Sequence, residues 1–160
     1  DFVGTDGDGG GKFKSADELA CAIEAKWPSI RMDRRFVVLT GGEPLLQVDA
    51  ALVAALHEKG FMIAIETNGT INPPDGIDWL CVSPKADAKL AVKFGQELKL
   101  VYPQPGIDPA NFASLAFENY YLQPMDGPNR VANTTKAIEY CQQHPQWNLS
   151  VQTHKMIGIR

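Results

Sequence analysis

Phe36-Val37-Val38-Leu39-Thr40-Gly41-Gly42-Glu43-Pro44 is the stretch whose reading decides the fold. Its first five residues are apolar or β-branched without polar alternation, which predicts a buried strand. Gly-Gly-Glu-Pro then breaks the strand into a turn. Working outward, Val48, Leu52, Ala55 and Leu56 mark one face of a helix that Gly60 ends. Upstream, Ser15 and Glu18 suggest a capping box ahead of Leu19, Ile23 and Trp27 at helical spacing, with Pro28 as the stop. Downstream, short apolar runs predict strands at Phe61–Ile65, Trp79–Val82, Leu98–Val101, Tyr120–Leu122 and Leu149–Gln152. Val131, Thr134, Ile138 and Cys141 predict the apolar face of a third helix. Apolar strands separated by helices mean a parallel sheet, covered on both faces or closed as a barrel. The connection from Val82 to Leu98 carries no helical pattern. The expected architecture is therefore α/β: an incomplete βα barrel with a mostly parallel six-stranded sheet, one domain over residues 1–160.

Composition fits this. The chain has 160 residues, 44% hydrophobic and 21% charged, with a net charge of -4, close to ordinary globular usage. The acidic balance argues against a nucleic-acid platform. The basic cluster Arg31, Arg34 and Arg35 is interrupted by Met32 and Asp33 and reads as a solvated loop. No apolar run reaches the length of a membrane span and no secretory segment opens the chain, so a cytoplasmic protein is expected. Cys21, Cys81 and Cys141 have no neighbours at metal-ligand spacing and read as buried small hydrophobes. The glycine-rich stretch Gly4 to Lys12 reads as a surface loop. It lacks the hydroxyl residue of a phosphate loop and the full acidic ligand set of a calcium loop. No Gly-x-Ser-x-Gly nucleophile elbow occurs.

In parallel α/β folds the functional groups follow the strands. Here they are Thr40-Gly41-Gly42-Glu43, Glu66-Thr67-Asn68, Ser83-Pro84-Lys85, Gln123-Pro124-Met125-Asp126 and Thr153-His154-Lys155. Such convergence of polar groups favours a small polar ligand. Gly41 and Gly42 permit close approach to the backbone, and Glu43 can accept from an ammonium group.

These strand-end motifs, in this order, resemble radical S-adenosylmethionine enzymes, and more narrowly the 7-carboxy-7-deazaguanine synthase family. Asp1-Phe2-Val3-Gly4 is similar to the segment just after that family's last cluster cysteine. The resemblance implies ring contraction of 6-carboxy-5,6,7,8-tetrahydropterin to 7-carboxy-7-deazaguanine, a step in queuosine biosynthesis. It implies S-adenosylmethionine, a [4Fe–4S] cluster and Mg²⁺ as cofactors, an electron donor such as flavodoxin, and a homodimer. By position it places S-adenosylmethionine against Gly41, Gly42, Glu43, Glu66, Ser83, Pro84, Lys85, Gln123, Pro124, Met125 and Asp126. It places the pterin against Thr40, His154 and the terminal carboxylate of Arg160. The family's three cluster cysteines, magnesium-holding threonine and first strand all fall before the segment matching Asp1. The chain as written is therefore expected neither to hold the cluster nor to run the reaction alone. Two other readings stand beside this one: a radical activating enzyme acting on a partner protein, and a non-catalytic remnant that binds S-adenosylmethionine or pterin.

Overall fold

The computed structural model describes residues 10–28 and 32–158. Asp1–Gly4, most of the glycine-rich loop, Arg31 and Arg160 lie outside them. The elements run α1 Ala16–Lys26, β1 Phe36–Leu39, α2 Ala50–Glu58, β2 Met62–Thr67, β3 Trp79–Val82, β4 Phe94–Tyr102, β5 Ala116–Pro124, α3 Arg130–Gln143, β6 Trp147–Leu149 and α4 Thr153–Met156. The strands follow chain order in one six-stranded sheet, and every strand pair whose register is defined is parallel. The chain divides into two compact units, Asp1–Thr67 with Ile71–Leu80, and Asn68–Thr70 with Cys81–Arg160.

In the first unit the Ser15 hydroxyl caps α1 by accepting from the Glu18 amide. The Glu18 carboxylate reaches back to the Lys14 amide, one residue before the usual partner. Asp49 caps α2 at the Leu52 amide. The core joins Leu52, Val53, Ala55 and Leu56 of α2 to Ala20, Phe61 and Ile63. Full burial of a side chain such as Leu56 or Ile63 stabilises the fold by about 1.5–3 kcal/mol. Val37 and Leu39 pack on that core. The alternate residues Phe36, Val38 and Met62 are all about half exposed, though Ala64 alongside them is buried, so the opposite face of β1 and β2 is partly open among the described residues.

Arg35 overturns the solvated-loop expectation. It is buried, donating to Glu24 Oε1 at 2.7 Å and to the Lys59 carbonyl at 2.6 Å, with its guanidinium over the Phe61 ring. Lys59 donates to the other Glu24 oxygen at 2.7 Å. The charge run misled because Arg35 folds back against α1 and the end of α2, where an ion pair with Glu24 and a hydrogen bond to the Lys59 carbonyl compensate its burial. β1 itself, expected to be buried, alternates exposed and half-buried residues. Arg34 is solvated as expected. Cys21 is also corrected: it is exposed, whereas Cys81 is buried and Cys141 half-buried.

In the second unit Leu98, Leu100, Tyr120, Leu122 and Trp147 form the buried face with Ala137 of α3. The predicted face of α3 is only partly right. Val131 and Ile138 are exposed, while Ala137 is fully buried and Tyr140 half-buried. The inward stripe thus runs one position away, because Tyr140 packs against Tyr102 and Trp147. The last strand is also shifted. It ends at Leu149, and residues 153–156 form a helical turn. Buried Trp147, edge-on to Tyr120, fixes the strand earlier than the apolar pattern suggested.

The linkage at Glu24 gives a pH prediction. Hydrogen bonds from Lys59 and then Arg35 hold its carboxyl below the ordinary range. A lowered folded pKa contributes stability above the unfolded value, which is lost as pH falls through the folded one. The urea midpoint should therefore fall as pH drops below about 4, and Glu24→Gln should flatten that acid limb. Arg35→Met should destabilise at neutral pH by about 2–3 kcal/mol, read from the same urea transitions.

Candidate functional site

The first unit brings together the groups that end β1 and β2. Leu39 pairs with Ile65, so Thr40 and Glu66 follow side by side, both exposed. Gly41 adopts φ +125°, and a Cβ built on Gly41 or Gly42 would meet nothing within 4 Å. The backbone of this turn faces open space, which suits a ligand approaching the main chain. Pro44 begins a 3₁₀ turn capped by Glu43, whose Oε1 accepts from the Leu45 amide at 3.1 Å. The same oxygen accepts from the Thr67 hydroxyl at 2.7 Å. Thr67 is only 3% exposed, so this bond fastens the end of β2 to the glycine turn. Glu43 therefore shapes the turn, a role that its sequence context did not announce.

At the other end of the same sheet segment, Asp78 Oδ2 lies 3.0 Å from His57 Nε2 and accepts from the Ile63 amide at 2.7 Å. Burial pushes the Asp78 carboxyl up, but these two bonds outweigh it and hold the group below its usual range. His144 stacks on Tyr140 with ring centroids 4.2 Å apart. Both histidines are structural, as their positions on and after helices imply.

In the second unit Ser83 is half-buried, Pro84 buried and Lys85 exposed, with Lys85 Nζ 3.4 Å from Ser83 Oγ. The connection that follows is pinned by Gly69, whose carbonyl accepts from the amides of Ala91 and Val92 at 2.9 and 3.0 Å. A Cβ on Gly69 would meet Leu90 and Val82 at 2.6 Å. Gln123 is half-buried and Pro124 buried at the end of β5, while Asp126 is exposed. The Met125 amide donates to the Tyr102 carbonyl at 2.8 Å, and Asn133 Nδ2 donates to the Met125 carbonyl at 2.9 Å. Lys155 Nζ donates to Asp126 Oδ2 at 2.5 Å. Lys155 first, and then the Gly127 amide, hold the Asp126 carboxyl below its ordinary range. His154 is exposed on α4, not at a strand end as expected. A cavity of about 320 Å³ is lined by Pro124, Arg130, Val131, Val151, Lys155 and Met156 among others, and His154 does not line it.

Strand alternation also places Glu97, Lys99, Asn119, Tyr121 and Gln123 on the face opposite the Leu98–Leu122 core. A polar, half-buried face on a parallel sheet is unusual. Of these residues, only Gln123 was singled out from sequence. The signal to follow was the period-two alternation of Glu97-Leu98-Lys99-Leu100, which a search for continuous apolar runs passes over.

Comparison with known proteins places the whole. The chain is 62% identical over 159 residues to 7-carboxy-7-deazaguanine synthase from Caulobacter vibrioides, covering 99% of this chain and 75% of that protein. It is 63% identical over 159 residues to the Bordetella pertussis synthase, with the same coverage. The chain belongs to the 7-carboxy-7-deazaguanine synthase family. No protein-family model matches it. The crystal structure of QueE from Escherichia coli superposes with a TM-score of 0.67 at 27% identity, covering 86% of this chain and 63% of that one. The α/β fold with its parallel six-stranded sheet thus matches the fold of that structure. The chain spans about three quarters of the length of these curated relatives.

Two substitutions test the local geometry. Thr67→Val keeps the shape but removes the donor to Glu43. It should cost about 1.5–3 kcal/mol in chemical denaturation. Gly69→Ala combines a left-handed backbone with overpacking and should cost about 3 kcal/mol.

Proposed function

We propose that this chain supplies the S-adenosylmethionine- and pterin-binding surfaces of a 7-carboxy-7-deazaguanine synthase, which contracts 6-carboxy-5,6,7,8-tetrahydropterin to 7-carboxy-7-deazaguanine. The observation that carries the reading is the open glycine turn at the end of β1, fixed by the Glu43–Thr67 bond beside Glu66. In this reading the Gly41–Gly42 backbone holds the methionine ammonium, with the Glu43 and Glu66 carboxylates adding negative charge nearby. Ser83, Pro84 and Lys85 contact the cofactor, as do Gln123, Pro124, Met125 and Asp126. Thr40, His154 and Arg160 contact the pterin. S-adenosylmethionine supplies the hydrogen-abstracting chemistry when bound.

The cluster does not fit the described residues. No group of three or more His, Cys, Asp or Glu side chains among them could hold a metal, and none of the three cysteines is in a disulfide. Cluster thiolates and a magnesium site therefore find no ligand set in this region. A second reading, a chain that binds ligand without turning it over, shares the same binding surfaces. A flavodoxin-like electron donor and a homodimer belong to the first reading and rest on the family alone.

Calorimetric titration with S-adenosylmethionine tests the shared claim. The chain should bind, and Ser83→Ala or Lys85→Ala should weaken binding about fivefold to tenfold, or roughly 1–1.4 kcal/mol. No heat from the unmodified chain would reject both readings. Anaerobic incubation with iron and sulfide should leave the chain colourless. A brown product with stoichiometric iron would contradict the ligand assignment.

A further inference from the structure

We propose that Lys155 is a positioning residue for the cofactor-binding loop, locking Asp126 and the turn after β5 onto α4; this rests on the reading that Gln123–Asp126 contacts S-adenosylmethionine. The turn leaves β5 with two anchors on Met125: its amide on the Tyr102 carbonyl and its carbonyl on Asn133 Nδ2. Beyond Met125 the chain loses strand geometry. Asp126 is exposed, and Gly127 takes φ +123° where a Cβ would meet nothing within 4 Å. A residue so placed has little packing to fix its rotamer. The Gly127 amide bonds the carboxylate locally, and Lys155 Nζ adds the tie from across the chain, 29 positions later, as a charge-assisted bond to Asp126 Oδ2 at 2.5 Å. It can do so because residues 153–156 coil into a helical turn, held by the Ile157 amide on the Thr153 carbonyl at 3.0 Å. Pro124, at the start of this turn, and Lys155 both line the same cavity.

The competing account is an ordinary surface ion pair. Both side chains are more than two-fifths exposed, and such pairs add little to stability. The two accounts differ in what they predict. A surface pair leaves ligand affinity and loop protection alone. A positioning residue changes both while leaving global stability nearly untouched.

The test uses the whole chain as wild type, Lys155→Ala and Lys155→Arg, with S-adenosylmethionine in a calorimeter and amide hydrogen exchange on the unliganded protein. Lys155→Ala should bind about tenfold more weakly, and the Met125 and Arg130 amides should exchange about tenfold faster, with the thermal midpoint unchanged. Lys155→Arg should recover both, because a guanidinium can replace the ammonium on a carboxylate. Unchanged affinity in Lys155→Ala overturns the proposal, whether or not exchange rises. If the wild type itself gives no heat, the cofactor reading fails. Exchange then decides on its own whether Lys155 orders the loop, and unchanged protection rejects it.

Discussion

Parallel strand register is the constraint on which the rest depends. Each parallel pair sends its two following loops off the same end of the sheet. In the first unit the Leu39–Ile65 pair sets Thr40 and the glycine turn next to Glu66. In the second, the Val101–Gln123 pair and the Leu122–Leu149 pair bring the Gln123 turn beside the chain that becomes α4. A one-residue slip in either unit would exchange the core face for the open face and separate these groups. The buried leucines on one face therefore hold the register that positions polar groups on the other.

The legible parts of the sequence were those in which one local signal dominated. Trp79–Val82 was read with its correct limits because Pro84 follows two residues later. Ser15 announced α1 through its cap. The misread parts were governed by distant partners. Arg35 looked like a surface charge until Glu24, 11 residues earlier, and Lys59, 24 residues later, enclosed it. The start of β6 depended on Trp147 packing edge-on to Tyr120. The third helix turned its inward face toward Tyr140 rather than Val131 because aromatic contacts outweighed simple hydrophobicity. At the site, the motifs were visible as residue types, but their supports were not. Thr67 on Glu43 and Lys155 on Asp126 join residues 24 and 29 positions apart. No short-range pattern encodes such pairs.

The supports of the strand-end turns are local to each unit. The strand-end groups depend on the two cores and on a few fastening bonds. None of those bonds involves a cysteine or a metal, and no convergent metal-ligand set exists among the described residues. The shape of the strand-end turns therefore comes from packing and hydrogen bonds within the described residues. The partly open β1–β2 face, with Phe36, Val38 and Met62 half exposed, leaves apolar surface without cover among the described residues of that sheet segment.

The central claim is that the ligand-binding groups lie at the carboxyl ends of the strands. The most direct measurement is backbone NMR during titration with S-adenosylmethionine. Shift changes should concentrate at residues 40–43, 66–68, 83–85 and 123–127. Changes concentrated instead at the opposite strand ends, around Phe36, Trp79, Phe94 and Ala116, would contradict the account.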